Sequence, residues 1–220
     1  MKIKGNQWIA QSLDDRETVP EFVDDLANRG YAILDDFISP AEVLQLKLEL
    51  LRRLDLGEFK RAGIGTHNDY KIDASVRGDQ ICWLNEENPA AAVLPFTEAI
   101  HTLIKLLNRY CYLGLSDFES HFAVYPPETF YERHLDQFQS NSNRAISLVL
   151  YLNEDWKEED GGHLKLFVSE EEEREVDPLA GRLVIFKSAE LEHQVCKTHA
   201  TRYSITGWLL HTPKDLSFLL

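Results

Sequence analysis

His134 and Asp136 stand two residues apart in the segment FYERHLD. The segment reads as a β-strand, where residues i and i+2 point to one face with Cα atoms roughly 6.5 Å apart. An imidazole and a carboxylate so placed suit two ligands of one metal ion, and the same pair is compatible with an incidental polar strand. A third ligand has to come from another strand. His193, opening HQVC after the apolar run RLVIFK, is the best-placed candidate. Two histidines and one carboxylate leave three coordination positions open, as in non-haem Fe(II) oxygenases.

An oxygenase of this type needs a source of two electrons. If that source is a dicarboxylic oxo-acid, its far carboxylate needs a cation in the interior, because a buried anion without a partner is costly. Arg202 opens RYSITGWLL nine residues after His193 and offers a rigid bidentate fork. Ser204, Thr206 and Trp208 share its face by period two, which makes that face unusually polar for a core strand. Tyr125 and Tyr151, on neighbouring strands, either add phenolic hydroxyls to the same pocket or only pack in the core. Arg77 and Asp79 read equally as a peptide-binding pair and as a loop-stabilising ion pair. The other histidines, His67, His101, His121, His163, His199 and His211, are less well positioned, and Cys196 reads as inert filler.

Helices come first in the elements that must position these residues. Residues 20–29 have helical apolar spacing with Gly30 as a stop, and GYAILDDF follows as a short strand. Ser39-Pro40 opens a second helix, with Glu42 closing a capping box. Gly57 to Asp79 is Gly-rich and aperiodic, a long loop of the kind that carries function. ICWL is a strand, and Asn88-Pro89 begins a long helix through Leu113, broken or loosened near Pro95. From Asp117 the texture changes to short strands: ESHFAVY, FYERHLD, AISLVLYLN, HLKLFV, RLVIFK, HQVC and RYSITGWLL. The pattern predicts one domain over residues 1–220, mainly β with N-terminal helices: helix-rich support at 1–116 and a jelly-roll core at 117–211. The charge run SEEEEREVD is expected at a solvated edge or loop.

The 220 residues carry a net charge of −14, which disfavours nucleic acid or an anionic membrane surface as partner. Three cysteines without a CxxC pair fit reduced thiols, the N-terminus lacks a secretory h-region, and no apolar run reaches bilayer length. The expected location is the cytoplasm.

HLD, the spaced His193 and Arg202, the run RAISLVLYLNEDW followed by GGHLKLF, and TRYSITGW together resemble the 2-oxoglutarate/Fe(II)-dependent prolyl hydroxylase family. The likeness is greatest to the branch of oxygen-sensing hydroxylases and their bacterial relatives, and RGDQICWL resembles that branch too. The resemblance implies a double-stranded β-helix with Fe(II) on His134, Asp136 and His193. It implies 2-oxoglutarate held by Arg202 with Tyr151, Tyr125 close by, and Thr206 and Trp208 in the same pocket. O2 is the second cosubstrate, succinate and CO2 are products, and ascorbate is compatible as a reductant. A mobile loop before RGDQICWL would close over a protein substrate, with elongation factor Tu as the family-implied partner. Two departures stand out. Lys187 or its neighbours replace a tryptophan that relatives carry before the distal histidine, and His121 falls where a larger apolar pocket residue is expected.

Two other functions stay open on the sequence. One is a hydroxylase of free amino acids or another small molecule on the same scaffold. The other is a non-catalytic jelly-roll binding module, against which the intact triad and Arg202 count. A zinc hydrolase fits less well, because no general base is evident.

Overall fold

The computed structural model describes residues 19–63, 71–85, 87–136 and 143–211. Its elements are helix α1 (Glu21–Arg29), strand β1 (Tyr31–Leu34), helix α2 (Pro40–Asp55), strands β2 (Lys60–Arg61) and β3 (Gln80–Trp83), and helix α3 (Leu94–Cys111). The strands β4 (Leu115–Tyr125), β5 (Tyr131–His134), β6 (Arg144–Tyr151), β7 (Leu164–Phe167), β8 (Glu173–Val176), β9 (Leu183–Lys187), β10 (Glu192–Val195) and β11 (Arg202–His211) follow.

They form a seven-stranded sheet, order β1-β9-β6-β11-β4-β3-β2, and a four-stranded sheet, order β5-β10-β7-β8. Every strand pairing within them is antiparallel. Strand alternation divides the large sheet into two faces. Phe118, Phe122, Leu148, Leu150, Ile185, Ile205 and Leu209 point to one side, where Leu26, Leu46, Leu50, Ile100, Leu103 and Leu107 of the helices cover them. Ala123, Tyr125, Val149, Tyr151, Val184 and Phe186 point to the other, against Leu164, Leu166 and Val195 of the small sheet. The result is the expected jelly roll, braced by helices on one side.

Local chemistry sets the helix ends. Gly30, at φ 79°, closes α1 with its N–H on the Leu26 carbonyl at 3.1 Å. The capping box of α2 is formed: Ser39 N–H donates to Glu42 Oε2 at 2.7 Å, and Glu42 N–H donates to Ser39 Oγ at 3.3 Å. Two expectations need correction. The helix placed from Asn88 starts only at Leu94, with Pro95 in its first turn. Proline lacks the N–H that a first turn leaves unpaired, so it begins that helix and does not break it. The Gly57–Asp79 segment is not all loop, because Lys60 and Arg61 pair with Ile81 and Gln80 as an edge strand. Residues 64–70 of that segment, His67 included, and the N-terminal segment through Thr18 lie outside the described residues. SEEEEREVD contributes the exposed edge strand β8, as expected.

Candidate active site

Between the two sheets, His134, Asp136 and His193 converge with ligand-type atoms all within 4.8 Å of one another. Pairing produces this. His193 on β10 sits directly across from His134 on β5, and their ring centroids are 4.2 Å apart. Asp136 is not a strand residue, contrary to the period-two reading: β5 ends at His134, and the chain bends there. The bend brings the carboxylate between the two rings, with Oδ1 3.6 Å from His134 Nε2 and Oδ2 3.7 Å from His193 Nε2.

Each imidazole is oriented by its other nitrogen. His134 Nδ1 lies 2.7 Å from the Glu132 carbonyl and His193 Nδ1 lies 3.3 Å from the Leu191 carbonyl. Carbonyls only accept, so each Nδ1 is a donor, which leaves each Nε2 directed at Asp136. Burial pushes the His193 imidazole down to about 4, which keeps it neutral. Burial pushes the Asp136 carboxyl up, but the histidines and the Ser147 hydroxyl outweigh it and hold the group well below the usual carboxylate range. A divalent metal would be ligated by unprotonated imidazole nitrogens and an ionised carboxylate, the donor set these three side chains offer. Ser147 Oγ donates to Asp136 Oδ2 at 2.6 Å and lies 2.9 Å from Ser188 Oγ. Sequence reasoning missed both serines. The available signal was Ser147 on the inward face of RAISLVLY, in step with Val149 and Tyr151.

Arg202 lies on the wall of the same cavity. It is 1% exposed, and its Nε and Nη2 have no hydrogen-bond partner among the described residues. Nη1 reaches only Ser204 Oγ, at 3.4 Å. The guanidinium carbon is 5.0 Å from the ring centroids of both Tyr125 and Tyr151. Burial pushes both phenols up, opposed by Arg202, so each keeps its proton as a donor. The Tyr151 hydroxyl also lacks a partner among the described residues. The approach is tight on the far side of Arg202: a Cβ on Gly162, at φ +64°, would come within 3.2 Å of Arg202 Cδ. A buried cation and a three-ligand cluster in one cavity, with a phenol that lacks a partner among the described residues packed against the cation, fit a metal and a small dicarboxylate.

At the rim, Arg77 and Asp79 pair with each other. Arg77 Nε donates to Asp79 Oδ1 at 2.7 Å and Nη2 to Oδ2 at 2.6 Å. The Arg77 guanidinium also lies 4.3 Å from the Tyr131 ring, which stacks on His134 at 3.6 Å. Backbone bonds of Gly78 N to Phe130 O (3.0 Å) and Glu132 N to Val76 O (2.9 Å) fasten this segment beside the metal cluster. Thr206, Trp208 and His121 line the cavity farther along β11 and β4. The aromatic wall before the distal histidine is Phe186, 4.5 Å from the His193 ring. Lys187 instead pairs with Glu190 at 3.1 Å and lines a separate cavity of about 670 Å³ near α1. One step along a strand reverses the face, so Phe186 points into the cavity and Lys187 away from it.

Residues 120–210 match the family model of the 2OG-Fe(II) oxygenase superfamily. Over 194 residues the chain is 29% identical to Egl nine homolog 1 of Mus musculus, covering 81% of this chain and 46% of that protein. It therefore spans about half of that relative's length. It is 31% identical over 195 residues to the prolyl hydroxylase EGLN3 of Mus musculus, covering 81% of this chain and 77% of that protein. Among solved structures, a prolyl-4-hydroxylase of Pseudomonas putida superposes with TM-score 0.79 at 38% identity, over 89% of this chain and 100% of that one. A Trichoplax adhaerens prolyl hydroxylase, solved with a hypoxia inducible factor peptide fragment, shares the fold at TM-score 0.81 and 24% identity, over 95% of this chain and 94% of that one. The chain belongs to the 2-oxoglutarate/Fe(II)-dependent prolyl hydroxylase family.

Proposed function

We propose that this chain is a 2-oxoglutarate- and Fe(II)-dependent dioxygenase that hydroxylates a prolyl residue in a protein substrate, releasing succinate and CO2. The observation that carries the reading is Arg202, a buried guanidinium with two unpaired nitrogens among the described residues, in the cavity of the histidine–aspartate cluster. A buried charge in that condition is costly, and a carboxylate bound across its fork offsets the cost. Arg202 and the cluster line the same cavity, the arrangement that a dicarboxylate bound to both requires.

His134, Asp136 and His193 would hold the metal, and Arg202 with Tyr151 would hold the far carboxylate of the oxo-acid. Once bound, Fe(II) and 2-oxoglutarate would supply the activation of O2 and the insertion of one oxygen atom into a C–H bond, with ascorbate compatible as an auxiliary reductant. The chain's own residues do the placing. The Glu132 and Leu191 carbonyls set the two rings, Ser147 holds Asp136 in one orientation, and Val149, Leu164, Phe186 and Val195 line the cavity with apolar surface that excludes water.

EGLN3 and the Pseudomonas putida enzyme are prolyl hydroxylases by name, which supports a prolyl target. A flexible prolyl loop of elongation factor Tu is the first substrate to test. We place the reaction in the cytoplasm, where the free thiols Cys82, Cys111 and Cys196 stay reduced. No helix among the described residues is long and apolar enough to cross a membrane. The deciding experiment incubates the protein with Fe(II), 2-oxoglutarate, O2 and elongation factor Tu, and reads the products by mass spectrometry. One added oxygen on one prolyl residue, absent with His134→Ala, is the expected result. Succinate release without any prolyl product across candidate proteins, but with turnover of free proline, would replace the protein substrate by a small molecule.

A further inference from the structure

The two histidines of the metal cluster are supported unequally. His193 lies on β10, between β5 and β7, and its side chain is 6% exposed. His134 ends β5, which is an edge strand of the small sheet among the described residues, and its side chain is 16% exposed. A ligating imidazole needs its ring plane fixed as well as its tautomer. The Glu132 carbonyl, 2.7 Å from Nδ1, constrains the ring at one point and leaves it able to tilt about that bond.

Tyr131 removes the remaining freedom. Its ring lies 3.6 Å from the His134 ring with 19° between the planes, a stacked pair. Regular alternation forbids that contact, because residues three apart on a strand point to opposite faces. The pairing with β10 shows how it arises. His134 sits across from His193 and Tyr131 across from Val195, so three steps along β5 match two along β10. The extra residue is a β-bulge, a feature that re-aims side chains beside active sites. Without it, alternation would send Tyr131 to the outer face together with Arg133.

The other face of the phenol is occupied as well. The Arg77 guanidinium carbon lies 4.3 Å from the Tyr131 ring centroid, and Asp79 holds that guanidinium with two bonds. Two groups this close to one centroid take opposite faces of the ring. Arg77 and Tyr131 also pair as an antiparallel bridge, so the backbone sets the height of the cation over the ring. A cation over an aromatic face is attracted to it. Carboxylate, guanidinium, phenol and imidazole thus form one continuous stack that ends on a ligand of the cluster.

We propose that Tyr131 is a positioning residue for the metal: its ring, clamped beneath Arg77, fixes the plane of the His134 imidazole and so sets how tightly the cluster holds a divalent ion. The inference rests on the metal site of the dioxygenase reading and extends it to a side chain outside the three ligands. Metal-free protein is titrated with Mn(II), followed by electron paramagnetic resonance, after the His134 ring protons have been located by NMR. In the wild type the stacked phenol shifts those protons upfield.

Tyr131→Leu is expected to lose that shift and to bind Mn(II) about tenfold more weakly, the usual scale for losing a partner of a ligating histidine. Tyr131→Phe keeps the shift and stays within about twofold of the wild type, because the ring and not the hydroxyl makes the stack. Urea denaturation is run in parallel, since a merely structural role would lower the midpoint and leave the Mn(II) affinity of the folded protein unchanged. If Tyr131→Leu does not fold, Arg77→Met with Asp79→Leu carries the test: it keeps the ring, removes the cation over it, and is expected to bind Mn(II) about threefold more weakly. Unchanged affinity in the variant that carries the test, or a loss in Tyr131→Phe equal to that in Tyr131→Leu, overturns the inference while the dioxygenase reading stands. A wild type that binds no Mn(II) overturns both.

Discussion

Two arginines border the same cavity, and they are opposites. Arg77 holds its carboxylate: Asp79 meets it with two bonds of 2.6 and 2.7 Å, and the acid is 2% exposed. Arg202 is more deeply buried and has no carboxylate among the described residues, only a 3.4 Å contact to Ser204 and two tyrosine rings at 5.0 Å. The first pair is complete in itself, so it stabilises a backbone segment beside His134. The second is half a pair, and the missing half is a ligand. Burial of a charge thus says little about its role until its partners are counted.

The sharpest way to break this contrast is to remove each cation in turn. Arg202→Leu is expected to weaken 2-oxoglutarate binding by a factor of about 10³ or more, the cost of losing one member of a buried charge pair. Calorimetry with Mn(II) as the metal reads this directly. The same variant should not lower the urea midpoint of the ligand-free protein, because no internal ion pair is lost. Arg77→Ala should do the reverse. It strands Asp79 without a cation and costs about 3 kcal/mol in urea denaturation, while Arg77→Met with Asp79→Leu recovers most of the loss. If Arg202→Leu destabilised the fold as much as Arg77→Ala, the distinction would collapse.

Ligand addition gives a third measure. Mn(II) with 2-oxoglutarate at about a hundredfold excess over Kd should stabilise the protein by about 2.7 kcal/mol, a rise of about 5–10 °C in thermal melting. A chelator should reverse the rise, and Arg202→Leu should lose the 2-oxoglutarate share of it. The smallest effect is expected at Ser147→Ala, which removes the hydroxyl bonded to Asp136 and should weaken metal binding about tenfold with little change in fold stability. Equilibrium titration with Mn(II) followed by electron paramagnetic resonance would show it.

The sequence by itself determined the chemistry and its order along the chain. His134, Asp136, His193 and Arg202 were legible because few side chains can ligate a metal or fork a carboxylate, and because period-two spacing assigns His134, His193 and Arg202 to strand faces. Helices before strands followed from a change in apolar period. Tertiary structure decided what those side chains meet. The bend that turns Asp136 between two imidazoles, its anchor Ser147, Phe186 rather than Lys187 as the wall, and Pro95 as a helix start all depend on what packs against them. So does the fate of the arginines: Arg77 finds an acid two residues away and Arg202 finds two phenols, yet both follow the same rule in one dimension. Spacing fixes the direction of a side chain, whereas its burial and its partners are supplied by strands distant in sequence, and it is those that separate a structural ion pair from a binding site.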